Sequence, residues 1–146
     1  MKLPDVNLLI YAIDTRSRKH RPAQLWLERT LSGTEEVGFA WAVLVGFVRI
    51  STNPRALERP LTVAEAIQYV DEWLDQPVAT FVHPSERHAA LLRDLLEPLG
   101  TAGNLTSDAH LAALAIEHGA ELCSHDTDFA RFPGLRWHDP LAPSGT

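Results

Sequence analysis

Residues 108–129 read DAHLAALAIEHGAELCSHDTDF. Ser107 or Thr106 is placed to cap a helix over DAHLAALAIEH, and Gly119 supplies its C-terminal stop. The next residues, AELCS (120–124), are a short buried-strand candidate. They run straight into Asp126 and Asp128, two carboxylates spaced by one residue. In open parallel sheets, polar sites gather beyond the carboxyl ends of the strands, so the order helix, glycine, buried strand, acid is that of an α/β unit carrying a site.

The same alternation extends through the rest of the chain. Residues 1–4 form a short candidate strand leading to Asp5, while VNLLIYAI after it is ambiguous between a buried strand and a helix. VGFA (37–40) and VATFV (78–82) have the β-branched and aromatic residues of strands. Pro22 suits the first turn of a helix through AQLWLERTL that Gly33 would stop. WAVLVGFVRI (41–50) is apolar nearly all round, which predicts a buried helix weakened by Gly46. Thr62 and Glu65 have capping-box spacing, with Val63, Ile67, Val70 and Leu74 following on one face. Ser85 is placed to cap a helix carrying Leu91, Leu92, Leu95 and Leu96, ended by Pro98 and Gly100. Strands separated by helices favour a parallel sheet with crossovers, covered on both faces.

Composition sets the outer limits. A chain of 146 residues fits one domain, 1–146, and is long enough to bury roughly 70% of its unfolded surface. Its apolar fraction of 45% and charged fraction of 22% are those of an ordinary globular protein. No apolar run is long enough for a membrane span, and no small-residue cleavage site follows the N-terminal apolar run, so a cytoplasmic protein is expected. The lone Cys123 excludes an intrachain disulfide, and no second thiol offers a zinc site. The formal charge of -6 argues against non-specific coating of nucleic acid. It leaves room for an enzyme that gathers its acids around cations and holds its substrate with a few arginines.

Asp5 follows the first strand candidate, Asp126 and Asp128 follow the last, and Asp108 sits at a helix start where backbone N–H groups favour an anion. Each has a purely structural alternative: a first-turn acid for Asp108, a turn former for Asp126 or Asp128, a cap for Asp5 with Asn7 competing. Their joint occurrence at strand ends and a helix start points to one acidic pocket. Carboxylates brought together either take up protons or hold cations. Hard oxygen donors without cysteine point to Mg²⁺ or Mn²⁺ and to phosphodiester hydrolysis by one ion or two.

LPDVNLLIYAID at the N-terminus, FVRISTNP in the middle and GNLTSDAHLAALAIEHGAELCSHDTDFARFPGLRW near the C-terminus resemble the VapC-type toxins of the PIN-domain ribonucleases. The similarity covers nearly the whole chain. Its most specific part is D-A-x-L-A-A-L-A followed by S-x-D-x-D-F. The resemblance implies a three-layer α/β/α sandwich around a parallel sheet of about five strands. It implies Mg²⁺- or Mn²⁺-dependent cleavage of RNA, in a toxin held inactive by a VapB-like antitoxin. By that likeness Asp5, Asp108 and Asp126 match the metal-binding acids, Asp128 the accessory acid, and Asn7 and Ser124 supporting polar positions. A homodimer, paired through the early helices that also form the antitoxin groove, is expected on the same ground.

The family usually carries a glutamate just before FVR, and here Gly46 takes that place, with no acid from Ala40 to Ile50. Asp128 or a water would then stand in for it. The alternative is a catalytically weakened RNA- or antitoxin-binding module. The basic run RSRKHR (16–21) is a candidate phosphate-contacting edge through Arg16, Arg18, Lys19 and Arg21, unless it is only a solvated loop. Arg49, Arg55 and Arg59 are further contributors, and His20 is a weaker candidate for proton transfer. Trp26 and Trp73 read as core or interface anchors, with base stacking a lesser role for Trp41 or Trp137. An aspartyl-phosphate phosphatase built on Asp5 is disfavoured, because Asn7 stands where that chemistry needs a second aspartate.

Overall fold

The computed structural model describes residues 1–143; the last three residues of the expected 1–146 domain lie outside them. Five short strands, β1 (Lys2–Pro4), β2 (Val37–Phe39), β3 (Ala79–Phe81), β4 (Glu121–Cys123) and β5 (Trp137–His138), form one parallel sheet in the order β3-β2-β1-β4-β5. Six helices flank it: α1 (Val6–Ile13), α2 (His20–Leu31), α3 (Trp41–Ser51), α4 (Val63–Leu74), α5 (His88–Leu96) and α6 (Thr106–Glu117). The chain steps from β1 to β2 to β3, then returns past both to β4. Right-handed crossovers therefore put α1–α4 on one face and α5–α6 on the other. The packing agrees, with α1 against α2 and α3, α3 against α4, and α5 against α6. This is the expected α/β/α sandwich.

The central strands are buried because both faces are covered, and Leu3, Val37, Phe39 and Leu122 are fully enclosed. Pro4, which lacks an N–H, is the last residue of β1. Its nitrogen faces β2, the side on which the Lys2 N–H donates to the Glu36 carbonyl, so the ladder to β4 is uninterrupted and the Asp5 N–H donates to the Cys123 carbonyl at 2.8 Å.

The ambiguous segment VNLLIYAI is helical. Asp5 caps it by accepting from the Val6 N–H at 2.7 Å, and Leu8, Leu9, Ile10 and Ala12 face inward. Helix α3 is not buried all round, since Trp41 and Val45 are 49% and 62% exposed. The capping box of α4 is present, but its buried face is Ala66, Val70 and Trp73, leaving Val63 and Ile67 exposed. Both departures have one cause: α3 and α4 each pack on one neighbouring layer, so their second apolar stripes point outward together with Phe81.

Helix α6 begins earlier than its expected cap. Gly103–Leu105 form a 3-10 turn that runs directly into it, Leu105 occupies the cap position, and Thr106 Oγ1 donates back to the Gly103 carbonyl at 2.9 Å. Ser85 holds the approach to α5 by accepting from the Arg87 N–H at 3.1 Å. Strand β5 was implied only by the family likeness, because two residues give no periodic signal. Trp137 Nε1 anchors it by donating to the Ser124 carbonyl at 3.0 Å. Trp73 is buried and Trp26 packs half-buried against the core. Among the described residues no helix is long and apolar enough to cross a membrane.

Gly38 sits mid-strand in β2, where a β-carbon would lie 2.8 Å from Val82 Cγ1 and 2.9 Å from Met1 Sδ. Gly38→Ala should therefore destabilise the fold by about 1–3 kcal/mol, read from denaturant midpoints, despite alanine's better intrinsic stiffness.

Candidate active site

The sheet order places a topological switch between β1, from which the chain departs toward β2, and β4, to which it later returns. Such a switch point is where open α/β sheets hold their ligands. Asp5 follows β1, and Ser124, Asp126 and Asp128 follow β4, so the pairing of Leu3 with Leu122 and Pro4 with Cys123 brings the two groups side by side.

Ser124 is fully buried and joins them. Its hydroxyl donates to Asp5 Oδ2 at 2.7 Å and accepts from Asn7 Nδ2 at 3.2 Å and from the Asp126 N–H at 3.0 Å. Asn7 Oδ1 in turn accepts from the His125 N–H at 3.4 Å. Asp126 caps the Thr127–Arg131 turn by accepting from the Asp128 N–H at 2.9 Å. Both local alternatives are thus real: Asp5 is a helix cap and Asp126 a turn former. Each still presents its carboxyl group to the same place.

Asp108, on the first turn of α6, completes the convergence. One carboxylate oxygen each from Asp108, Asp126 and Asp128 lie within 4.8 Å of one another. All three groups are half-buried oxygen donors, a set that fits a hard divalent cation. Asp5 lies beside this triplet at 8% exposure, with its oxygens already engaged by Val6 and Ser124. Asp128 also carries a loose pair with Arg131 at 3.6 Å.

The electrostatics record the crowding. Burial, then the charges of Asp126, Asp5 and Asp128, push the Asp108 carboxyl up to about 6. Burial raises Asp5 as well, opposed by its hydrogen bonds from Ser124 and Val6.

A groove of about 430 Å³ opens beside the acids, lined by Asp5, Asp108, Gly46, Arg49 and His110 among others. Gly46 is the position at which the family likeness implied a glutamate. A β-carbon there would meet only Val6, at 3.6 Å, so the space is open.

The basic run is dispersed. Arg16 pairs with Glu58 at 3.3 Å, Arg21 donates to Gln24 at 3.0 Å, and Arg18 is exposed. Lys19 lies 5.2 Å over the Tyr11 ring, which makes a T-shaped contact with His125 of the acidic loop at 6.1 Å between ring centres. His20 Nδ1 is spent on the Tyr11 carbonyl at 2.9 Å.

Sequence reasoning passed over a second polar cluster. His88 Nδ1 meets Glu117 Oε2 at 2.9 Å, and His88 Nε2 meets His110 Nδ1 at 2.8 Å. His110 and Glu117 share a face of α6 at a spacing of seven, the one signal available. Their link, His88, comes from α5 and leaves no local pattern.

With this geometry in hand, the likeness to known proteins is direct. Residues 2–135 match the PIN domain. The chain belongs to the PIN-domain family. Within it, the chain is 49% identical over 142 residues to ribonuclease VapC37 of Mycobacterium tuberculosis, covering 97% of this chain and 99% of that one. It is 42% identical to VapC ribonuclease Mb2897 of Mycobacterium bovis, over 94% and 93% of the two chains. VapBC2 of Rickettsia felis, solved on a DNA fragment from its promoter, has the same fold, with a TM-score of 0.67 at 20% identity over 94% of this chain and 96% of that one. FitAB bound to a DNA fragment superposes with a TM-score of 0.66 over 99% of both chains. The chain is of the VapC type.

Three outcomes follow from the site's hydrogen bonds and electrostatics. Ser124→Ala removes the proton donated to Asp5 and leaves the Asn7 amide and the Asp126 N–H without that acceptor. It should cost about 1–3 kcal/mol of stability by chemical denaturation. Asp108 has a folded-state value near 6, above the ordinary 3.8. The folded state thus binds more protons than the unfolded one, and stability falls as pH rises through that window. In chelator, Asp108→Asn should raise the melting temperature at pH 7.5, with the gain shrinking as pH falls toward 4. Added Mn²⁺ should stabilise the unsubstituted protein more than this variant.

Proposed function

We propose that this chain is a metal-dependent endoribonuclease, the toxin of a type II toxin–antitoxin pair. The observation that carries the reading is the convergence of Asp108, Asp126 and Asp128 within 4.8 Å at the switch point, with Asp5 beside them. Asp108, Asp126 and Asp128 would hold Mg²⁺ or Mn²⁺, with Asp5 as a fourth acid of the site; Asn7 and Ser124 fix the acids in place. A bound divalent ion supplies water activation and charge neutralisation at a phosphodiester.

The chain's own residues do the rest. Ser124 and the Val6 N–H hold Asp5 in one orientation, and the Asp126–Asp128 turn fixes two carboxylates on a single loop. Preorganised charge of this kind lowers the barrier because nothing need reorient during reaction. Lys19, with Arg16, Arg18 and Arg21 on the same segment, is the proposed phosphate-contacting edge. The relatives' names as ribonucleases support RNA as the substrate. The weakened-module alternative is not favoured, since Asp128 joins the triplet and the convergence survives without an acid at position 46.

A VapB-like antitoxin is the proposed partner, supported by the likeness to a solved toxin–antitoxin complex. The outward apolar face of Trp41, Val45, Val63, Ile67 and Phe81 offers a second copy of the chain a surface to bury. In this reading residues 1–146 act as a single PIN-like domain in the cytoplasm.

Cleavage of total RNA in Mg²⁺ or Mn²⁺ tests the proposal. Asp5→Asn and Asp108→Asn should each lose at least about a hundredfold in rate, and chelator should abolish cleavage. Equal activity in Asp5→Asn and the unsubstituted protein would sink the reading.

A further inference from the structure

The network Glu117–His88–His110 lies outside the acidic triplet, yet it ends in the groove beside it. Glu117 is almost wholly enclosed, its side chain 1% exposed, and it also accepts the Ser85 N–H. An ionised carboxylate only accepts, so with His88 neutral its Nδ1 carries the proton toward Glu117 and its Nε2 is an acceptor. His110 Nδ1 then donates to His88 and His110 Nε2 is an acceptor, whereas a His88 imidazolium would reverse that second bond. Among the described residues Nε2 has no protein partner, and His110 lines the groove that Asp5 and Asp108 also line. A second residue fixing the orientation and tautomer of a histidine is how proteins aim that ring at a ligand.

The groove itself has the make-up of a small-ligand pocket. Its volume of about 430 Å³ falls within the ~300–1,000 Å³ usual for such sites. Val6, Val43, Ile50 and Leu111 give it apolar walls, and Arg49 has no ion-pair partner among the described residues. Gly46 keeps it open. Apolar walls suit a base, a free guanidinium suits a phosphate, and with His88 neutral the His110 Nε2 acceptor suits an N–H or O–H donor.

We propose that this groove seats the nucleotide next to the scissile phosphate of an RNA strand, with Arg49 on its phosphate and His110 Nε2 accepting a hydrogen bond from the nucleoside. The donor is either the ribose 2′-OH or an amino or imino group of the base. His110 is here a specificity-determining residue, positioned by His88 and Glu117. The inference rests on the ribonuclease reading and adds a subsite to it.

The test is binding of short fluorescein-labelled homopolymer RNAs of the four bases, and of their 2′-deoxy counterparts, to the full chain in Ca²⁺, which limits turnover. Cleavage in Mn²⁺ is measured in parallel. His110→Ala should weaken the preferred RNA about tenfold. His110→Gln, which keeps a side-chain acceptor, should recover part of the loss. Gly46→Leu, which fills the groove, should weaken binding without lowering Mn²⁺ affinity. A loss in His110→Ala confined to ribose over deoxyribose assigns the 2′-OH, and a flattened preference among the bases assigns the base edge. RNA binding unchanged in both His110→Ala and Gly46→Leu, with cleavage intact, overturns the subsite alone. Loss of melting temperature and Mn²⁺ affinity together, with no rescue by glutamine, makes the network structural and overturns it too. A chain that neither binds nor cleaves any RNA overturns the ribonuclease reading and the subsite with it.

Discussion

The parallel pairing of β1 with β4 is the constraint on which the site depends. These strands are separated by more than a hundred residues, yet Leu3 faces Leu122 and Pro4 faces Cys123 in a three-residue ladder. One further residue along each strand are Asp5 and Ser124, joined by a 2.7 Å hydrogen bond. A register slip of one residue between the strands would break the pairing of Leu3 with Leu122 inside the core and separate Asp5 from Ser124 in the same step. Core packing and site assembly are thus enforced by the same apolar side chains.

That arrangement sets like charges against one another. Asp108 is driven toward protonation first by burial and then by three like charges, and Asp5 by burial above all. The fold holds these groups because each is restrained locally: Asp5 as the cap of α1, Asp126 as the cap of the following turn, Asp108 by its place on α6. The energetic cost of grouping acids is one that a divalent cation would offset, which is why local capping and convergence coexist instead of excluding one another.

Much of this was legible before any coordinates. The helix–glycine–strand–acid order of residues 108–129 placed two of the site's segments, and strand ends plus a helix start placed Asp5, Asp126, Asp128 and Asp108. What stayed hidden was hidden for physical reasons. VNLLIYAI is a short apolar run, and only the cap supplied by Asp5 decides for a helix. Residues 63, 67, 70 and 74 follow a helical stripe, but burial went to Ala66, Val70 and Trp73, since small and aromatic residues matched the surface offered by Phe47 and its neighbours. The Glu117–His88–His110 network joins two helices through side chains alone, and tertiary contact of that kind has no period to read.

Gly46 shows how one departure can serve two ends. A glutamate there would add a further carboxylate beside Asp5 and Asp108, and without a cation each added charge raises the others' protonation. The structure instead keeps three carboxylates together by recruiting Asp128, whose loop is already fixed by the Asp126 cap. The volume that a side chain at position 46 would take remains as open groove between α3 and α6. The missing side chain at position 46 and the open groove on the same wall of α3 are therefore one structural feature. Its consequence for the proposed chemistry is that donors to the cation come mainly from β4's loop and α6, leaving α3 to face the substrate.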